Sequence, residues 1–383
     1  MNPVPADIGI ILVGGLRSHQ ENYAAAFVAA GCRLLAVGLA EGEDPARHAA
    51  LANQFDVPMR PLAEAVHLPG ACVASIAVGM HQRRQAAETA AQAGLHLYLD
   101  KPLAGSPLEA AGILRAVSDA RVRAQVFSHV SAGWVRRARE VVRSGRIGRV
   151  LAVHADMLMA KGTPADMRPS PRRESAFPQD FPDDVAKREL TDMGIYPVSL
   201  VGWLLGVRAT SVNAATANHF FAEHLDRDVE DYGAMLVTFE DGVIATITCG
   251  RTGWDSMPGP FLARVVIVGD SGSVVLGSHR QQVLTLRRPG AEPRDVDPAD
   301  PMGMWLSTQR PSRSPPPMVR DIALGPAQPH DVAAFVSTLT AGTEQGISVA
   351  EAVHHCEILA AAYRSAAEGG AVAVAAQSSE GPR

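Results

Sequence analysis

Three short stretches of this chain carry residue types suited to acid, base or phosphate-binding work, at places where a fold can aim them into a crevice. The first is Asp100-Lys101-Pro102, which closes the apolar run Leu97-Tyr98-Leu99. Proline has no ladder donor and holds the residue before it extended, so the pattern predicts Lys101 at a strand end. In an open parallel sheet, ligands bind outside the carboxyl ends of the strands, and a lysine there faces a crevice. The second is Asp192-Met193-Gly194-Ile195-Tyr196. Read as the start of a helix running to Leu205, it puts Asp192 and Tyr196 on one face, with Pro197 in the first turn. The third is Val13-Gly14-Gly15-Leu16-Arg17, a glycine turn between a strand and a helix, where Arg17 can stand beside a phosphate at the helix N-terminus. Each also has a plainer reading: a solvated loop lysine, a dipole-favoured aspartate with a tyrosine packed above it, and a surface arginine.

Lysine, tyrosine and aspartate form a sufficient set for removing hydride from a secondary alcohol. That step needs a base for the hydroxyl proton and a positive group for the developing alkoxide. Tyrosine titrates near pH ~10, and an adjacent ammonium favours the phenolate, so Lys101 is expected to bring Tyr196 into working range. Asp192 would orient the substrate by accepting hydrogen bonds from its neighbouring hydroxyls. His129 follows a strand and can face the same cleft, and Arg172 is a further candidate for substrate contact. The histidines make no HExxH pair or other ligand spacing, so no metal site is expected.

The elements needed to position these groups are legible. Ile8 to Val13, Arg33 to Leu39, Cys72 to Val78, Leu95 to Leu99 and Ala124 to Ser128 read as strands, and the stretches between them as single helices. Such alternation predicts a doubly wound, Rossmann-like parallel sheet with right-handed crossovers. Farther on, Val150 to Met157, Ser211 to Thr216, Tyr232 to Glu240, Val243 to Gly250, Ala263 to Val268 and Ser273 to Leu276 read as strands, with Asp241-Gly242 as a hairpin signal. The fold class is therefore α/β: an N-terminal Rossmann-like domain over 1–124, then an α+β domain over 125–370 with a large, mainly antiparallel open sheet. A tail over 371–383 is expected to be frayed. Segments 161–188 and 289–329 are rich in proline; the first, just before Asp192, reads as a lid or substrate loop.

Composition sets the outer limits. With 47% hydrophobic and 20% charged residues over 383 positions, the chain can bury a sizeable core. A formal net charge of -5 gives no electrostatic footprint for nucleic acid or an anionic membrane. The four cysteines are widely spaced, as in a reducing compartment, and no apolar run approaches the ~18 residues of a membrane span, so a cytoplasmic protein is expected.

In their order and spacing, Ile8 to Gly14, Ala93 to Leu103, Ser144-Gly145-Arg146-Ile147-Gly148, Asp192 to Pro197 with Trp203-Leu204-Leu205-Gly206, Val229-Glu230-Asp231, Phe239 to Gly242 and Val268 to Gly272 resemble the Gfo/Idh/MocA oxidoreductases. The resemblance implies a nicotinamide-dependent enzyme acting on a sugar, cyclitol or related polyol; the second sheet, open on one face, separately predicts a homo-oligomer paired through that face. The resemblance assigns catalysis to Lys101, Tyr196 and Asp192. Substrate contacts are expected at these three together with His129 and Arg172, and NAD or NADP contacts, by position, at Gly14, Gly15, Leu16, Arg17, Glu41, Val78, Gly79, Asp100 and Lys101. The family most often has histidine where Tyr196 stands and glutamate where Asp100 stands. Its Thr-Pro after the third main strand is Val78-Gly79 here, and a histidine a few residues on is Arg83. Of the GxGxxG positions Leu12, Gly14 and Arg17, one holds glycine, and Glu41 comes two residues after the place of a ribose-binding carboxylate. These departures predict weakened cofactor binding with no assignable preference. They keep two other classes open: a ligand-binding or assembly module poor in cofactor, and a lyase or hydrolase using a retained nicotinamide transiently.

Overall fold

The computed structural model describes residues 5–165, 170–174, 186–252, 261–277, 282–287, 299, 318–322, 331–342 and 346–375. The first half alternates as the apolar runs require. In chain order come β1 (Gly9–Val13), α1 (Gln20–Ala29), β2 (Arg33–Leu39), α2 (Pro45–Gln54), β3 (Met59–Pro61), α3 (Leu62–Ala65) and β4 (Ala71–Ile76). After these follow α4 (Met80–Gln92), β5 (His96–Leu99), α5 (Pro107–Ala120), β6 (Ala124–Val126) and α6 (Gly133–Arg143). Local chemistry sets the helix starts: the Asp44 side chain accepts the Ala46 N–H at 2.9 Å with Pro45 at the first helical position, and Ser106 accepts the Glu109 N–H at 3.3 Å. β1 is buried along its whole length, as a central parallel strand covered on both faces must be.

The second half holds β7 (Val150–Met159), β8 (Ser170–Arg172), α7 (Glu189–Asp192), α8 (Ile195–Leu205), β9 (Ala209–Asn218), α9 (Ala222–Asp226), β10 (Tyr232–Phe239) and β11 (Ile244–Arg251). It continues through β12 (Phe261–Gly269), β13 (Gly272–Gly277), β14 (Gln282–Arg287), β15 (Met318–Ile322), α10 (Asp331–Ala341), β16 (Ile347–Ser348), α11 (Val349–Glu368) and β17 (Val372–Ala373). Asp241-Gly242 turns the β10–β11 hairpin, with Gly242 at φ 81° and the Asp241 carboxylate accepting the Val243 N–H at 3.2 Å.

The first sheet has seven strands in the order β16-β6-β5-β4-β1-β2-β3, parallel except for β16. The second has ten, in the order β15-β14-β13-β12-β7-β11-β10-β9-β17 with β8 also on β9; its pairs are antiparallel except β7 with β11. This is the doubly wound sheet joined to an open, mainly antiparallel one that the sequence predicts.

Three differences have physical causes. The helix expected from Asp192 to Leu205 is interrupted: α7 ends at Asp192 and α8 starts at Ile195. A Cβ on Gly194 would lie 2.2 Å from the Leu190 carbonyl oxygen and 3.0 Å from Cys249 Sγ, so only glycine lets the chain approach β11 there. Second, the chain returns to the first sheet late: α10 packs Val332, Phe335, Val336 and Leu339 among Tyr23, Phe27 and Tyr98, and β16 pairs with β6. Third, the tail expected from residue 371 begins with β17, anchored on β9 by buried Val372 and Val374; 376–383 lie outside the described residues. Much of 161–188 and 289–329 also lies outside them, including the middle of the expected lid.

Candidate active site

β5 carries the chain to Leu99, and the Asp100 N–H continues the pairing to the Ile76 carbonyl at 2.9 Å. The Asp100 side chain then turns inward. Its carboxylate accepts from Tyr23 Oη at 2.5 Å and His19 Nδ1 at 3.2 Å, with Arg83 Nη2 at 3.7 Å. Burial alone would raise this carboxyl, but the His19 hydrogen bond and the charges of His19, Arg83 and Lys101 bring it down to about 2. Arg83, where the family has histidine, is almost fully buried. Its guanidinium donates to the carbonyls of Val78 (2.8 Å), Asp100 (3.3 Å) and Pro102, stapling the turn on which Lys101 stands. The Lys101–Pro102 peptide is cis.

Lys101 faces the cleft, as its strand-end place predicts, yet only 5% of its surface is exposed. Its ammonium donates to Asp192 Oδ1 at 2.7 Å and to the Asp192 carbonyl at 2.8 Å. The break at Gly194 creates this arrangement. Asp192 ends α7, so its carbonyl is free to accept, and its carboxylate stands at a helix C-terminus, where only neighbouring cations favour it. Arg251, the last residue of β11, provides a second: Nη2 lies 3.4 Å from Asp192 Oδ2 while Nε holds the fully buried Glu189 at 2.7 Å. The expected N-terminal cap is thus replaced by a buried ion pair. Burial would neutralise both partners, but the Asp192 charge holds the Lys101 ammonium well above its ordinary range, and Lys101, Lys187 and Arg251 hold the Asp192 carboxyl well below its own.

Tyr196 joins this pair from the first turn of α8. The Lys101 ammonium lies 4.6 Å from its ring centroid, and His129 stacks on the ring at 4.7 Å with 26° between planes. Burial, together with the Asp192 and Asp100 charges, raises the phenol, and Lys101 only partly offsets this. The sequence predicts that Lys101 brings Tyr196 into working range; here its ammonium donates mainly to Asp192, and burial holds the phenol above its ordinary range.

The nucleotide end lies at the β1–α1 turn. Gly14 is at φ 146°, and a Cβ on it would come 2.7 Å from the Ala77 carbonyl oxygen. The next residues are tied to α2: the Leu16 N–H donates to the Arg47 carbonyl at 3.1 Å, and Arg47 Nε donates to the Leu16 carbonyl at 2.8 Å. Arg17 and Arg47 are exposed, and both line a cleft of about 150 Å³ shared with Val78, Gly79, Asp100, Lys101 and Asp192. Of the expected contacts, Gly14, Gly15, Leu16, Glu41, His129, Arg172 and Tyr196 are not among the residues that line this cleft. Glu41 takes the Gln85 side chain at 3.0 Å; Glu43 lines the cleft instead and accepts the Gly79 N–H at 3.0 Å. Arg172 is engaged by Glu174 at 3.0 Å and Asp228 at 3.1 Å, away from Lys101. Glu43 and Arg251 carry no motif of their own; the signal for each was proximity to a strand end.

A cleft at the carboxyl ends of β1, β4 and β5, closed by a helix from a second, open-sheet domain, defines a two-domain Rossmann-type oxidoreductase architecture. Comparison agrees. Residues 7–128 match the oxidoreductase family with an NAD-binding Rossmann fold, and residues 135–275 match the GFO/IDH/MocA C-terminal domain. Levoglucosan dehydrogenase, in a complex with NADH and levoglucosan, superposes with TM-score 0.74 at 19% identity, over 96% of this chain and 100% of that one. An NAD-binding oxidoreductase from Klebsiella pneumoniae gives 0.72 at 16%, over 97% and 100%. An oxidoreductase from Agrobacterium radiobacter, in a complex with NAD+, L-tartaric acid and magnesium, gives 0.69 at 17%, over 96% and 98%. No curated protein matches by sequence. The chain belongs to the Gfo/Idh/MocA oxidoreductases, and residues 7–128 are the family's NAD-binding Rossmann domain.

The residues present fit such a cofactor. Arg17 and Arg47 supply guanidinium groups beside the start of α1, Glu43 a carboxylate past the end of β2, and Val78-Gly79 with the Lys101 turn a floor at the far end.

Proposed function

We propose that this chain is a dehydrogenase that moves a hydride between NAD or NADP and a hydroxyl or keto group of a sugar, cyclitol or related polyol. The observation that carries this reading is the Lys101 ammonium, buried in the cleft between the Asp192 carboxylate and the Tyr196 ring. A bound nicotinamide supplies hydride exchange. Lys101 then holds the oxygen that gains negative charge, and Asp192 accepts hydrogen bonds from hydroxyls beside the reacting carbon. Tyr196, kept protonated, is set to donate in the direction of carbonyl reduction; in the opposite direction the phenol must first lose its proton. His129 extends the aromatic wall on which the substrate rests. Val78, Gly79 and Arg17 belong to the cofactor side, with Gly14, Gly15 and Leu16 shaping the turn. Residues 1–124, completed by β6, α10 and β16, form the cofactor part, and the rest of 125–370 the substrate and oligomer part.

The outer face of the second sheet exposes Leu236 and Ile244, on the paired strands β10 and β11. A second copy covering this face accounts for them, and sedimentation showing only monomer would refute the pairing. Among the described residues no helix is long and apolar enough to cross a membrane, and the four cysteines are free, which supports a reducing, cytoplasmic setting.

The test is thermal unfolding with NAD, NADH, NADP and NADPH at millimolar concentration. Ligand at 100 times its Kd stabilises the fold by about 2.7 kcal/mol. Stabilisation by at least one dinucleotide is expected; none with any of the four rejects the dehydrogenase. The hydrogen-bonded Leu16–Arg47 clasp favours the second reading, a relative poor in cofactor that binds ligand without turnover, and the same absence of shift would support it.

A further inference from the structure

Four cationic side chains converge on the Asp192 end of the cleft, and three have a carboxylate. Lys101 holds Asp192 at 2.7 Å, Arg251 holds Glu189 at 2.7 Å, and Arg188 holds the buried Glu230 at 3.3 Å. Lys187 lines the same cleft and is half-buried. Its charge reaches Asp192, but that carboxylate is already shared by Lys101 and Arg251, and no ion pair to Lys187 forms among the described residues. A neutral polyol would leave this ammonium uncompensated in a partly desolvated cleft. At the other end Arg17 and Arg47 face the place of the cofactor's phosphates, so Lys187 is not needed there.

We propose that the substrate is a sugar acid, a polyol bearing one carboxylate that pairs with Lys187 while a nearby hydroxyl meets Lys101 and Asp192. One lysine without an ion pair among the described residues balances one carboxylate, whereas a phosphate monoester brings about 1.5 to 2 negative charges. This rests on the dehydrogenase reading for the fate of the hydroxyl; the charge argument itself concerns binding alone.

The experiment is calorimetric titration of the full chain, with and without NADH, using matched pairs: D-gluconate against D-glucitol, D-galactonate against galactitol, and D-glucuronate against D-glucose, with D-glucose 6-phosphate as a further arm. At least one acid should bind about tenfold or more tighter than its neutral partner, the effect of a charge-assisted hydrogen bond. Lys187→Gln should bring that pair to parity, and Lys187→Arg should keep the preference. Equal binding of acid and neutral members, no binding by any acid, a preference that survives Lys187→Gln, or tighter binding of the phosphate would each overturn the proposal. Acid binding without any dinucleotide shift would instead uphold it and reject only the hydride chemistry.

Discussion

At the Lys101 end of the cleft the functional groups are buried and bound to one another, while at the β1–α1 turn the cations Arg17 and Arg47 stand exposed, on a backbone tied to α2. The first arrangement fixes its geometry before any ligand arrives, because a buried ion pair tolerates little displacement and each partner is costly to leave alone. The second relies on surface charges that salt screens and a ligand must recruit. The difference is one of coupling: Lys101, Asp192 and Tyr196 form one physical unit, whereas the groups at the nucleotide end hold their places singly, with Glu43 lining the cleft where Glu41 turns away.

That contrast can be broken by substitution. Lys101→Met leaves Asp192 with Arg251 alone, and a loss of about 3 to 5 kcal/mol in folding stability is expected, as for other buried pairs deprived of one partner. Denaturant unfolding showing less than ~1 kcal/mol would mean that the pair is not structural. Arg83→Met removes the donors to three buried carbonyls and should cost about 3 kcal/mol by the same measurement. An unchanged midpoint would deny the staple.

Acid comes next in size. The Asp100 carboxyl, near 3.8 when unfolded and about 2 when folded, stabilises the native state fully above its unfolded value; that contribution disappears as pH falls from about 4 to 2. It is on the order of 2 kcal/mol, so Asp100→Asn should flatten the acid side of the stability curve. An equally steep fall in that variant would place the acid sensitivity elsewhere. The smallest stability effect belongs to the exposed end. Arg17→Ala and Arg47→Ala should each change folding stability by less than ~0.5 kcal/mol, yet weaken dinucleotide binding about tenfold at low salt and less at high salt. Salt-independent loss would mean that the side chains shape the turn instead of attracting phosphate.

Much of this was legible beforehand. Alternating apolar runs and glycine turns fixed the parallel sheet, and the Lys-Pro strand end, the Asp192 segment and His129 do meet at one place. The misplaced details were set by tertiary packing. Nothing local marks Gly194 as the point where α7 must break against Cys249, so Asp192 read as a helix start. Glu41 and Glu43 are equally plausible in a loop until Gln85 captures one and the Gly79 amide the other. Arg172 lies in a segment whose pairing to β9 depends on a strand distant in sequence. The upward shift of Tyr196 required knowing that it is buried and that Lys101 is already engaged.

The late return of the chain bears on modularity. The aromatic face of the Rossmann half, where Tyr98 packs against Tyr23 at 5.2 Å and Phe27 at 5.6 Å, is covered by Phe335 of α10 at 5.6 Å. Asp331, at the start of that helix, accepts hydrogen bonds from Tyr98, Gln125 and Ser131. A fragment cut after residue 124 would therefore carry an open aromatic surface, although its five complete strands are contiguous in sequence. The nucleotide-binding half is not a detachable cassette; it is completed by the last quarter of the chain, so gene fusions or domain exchanges must carry residues 331–348 with it.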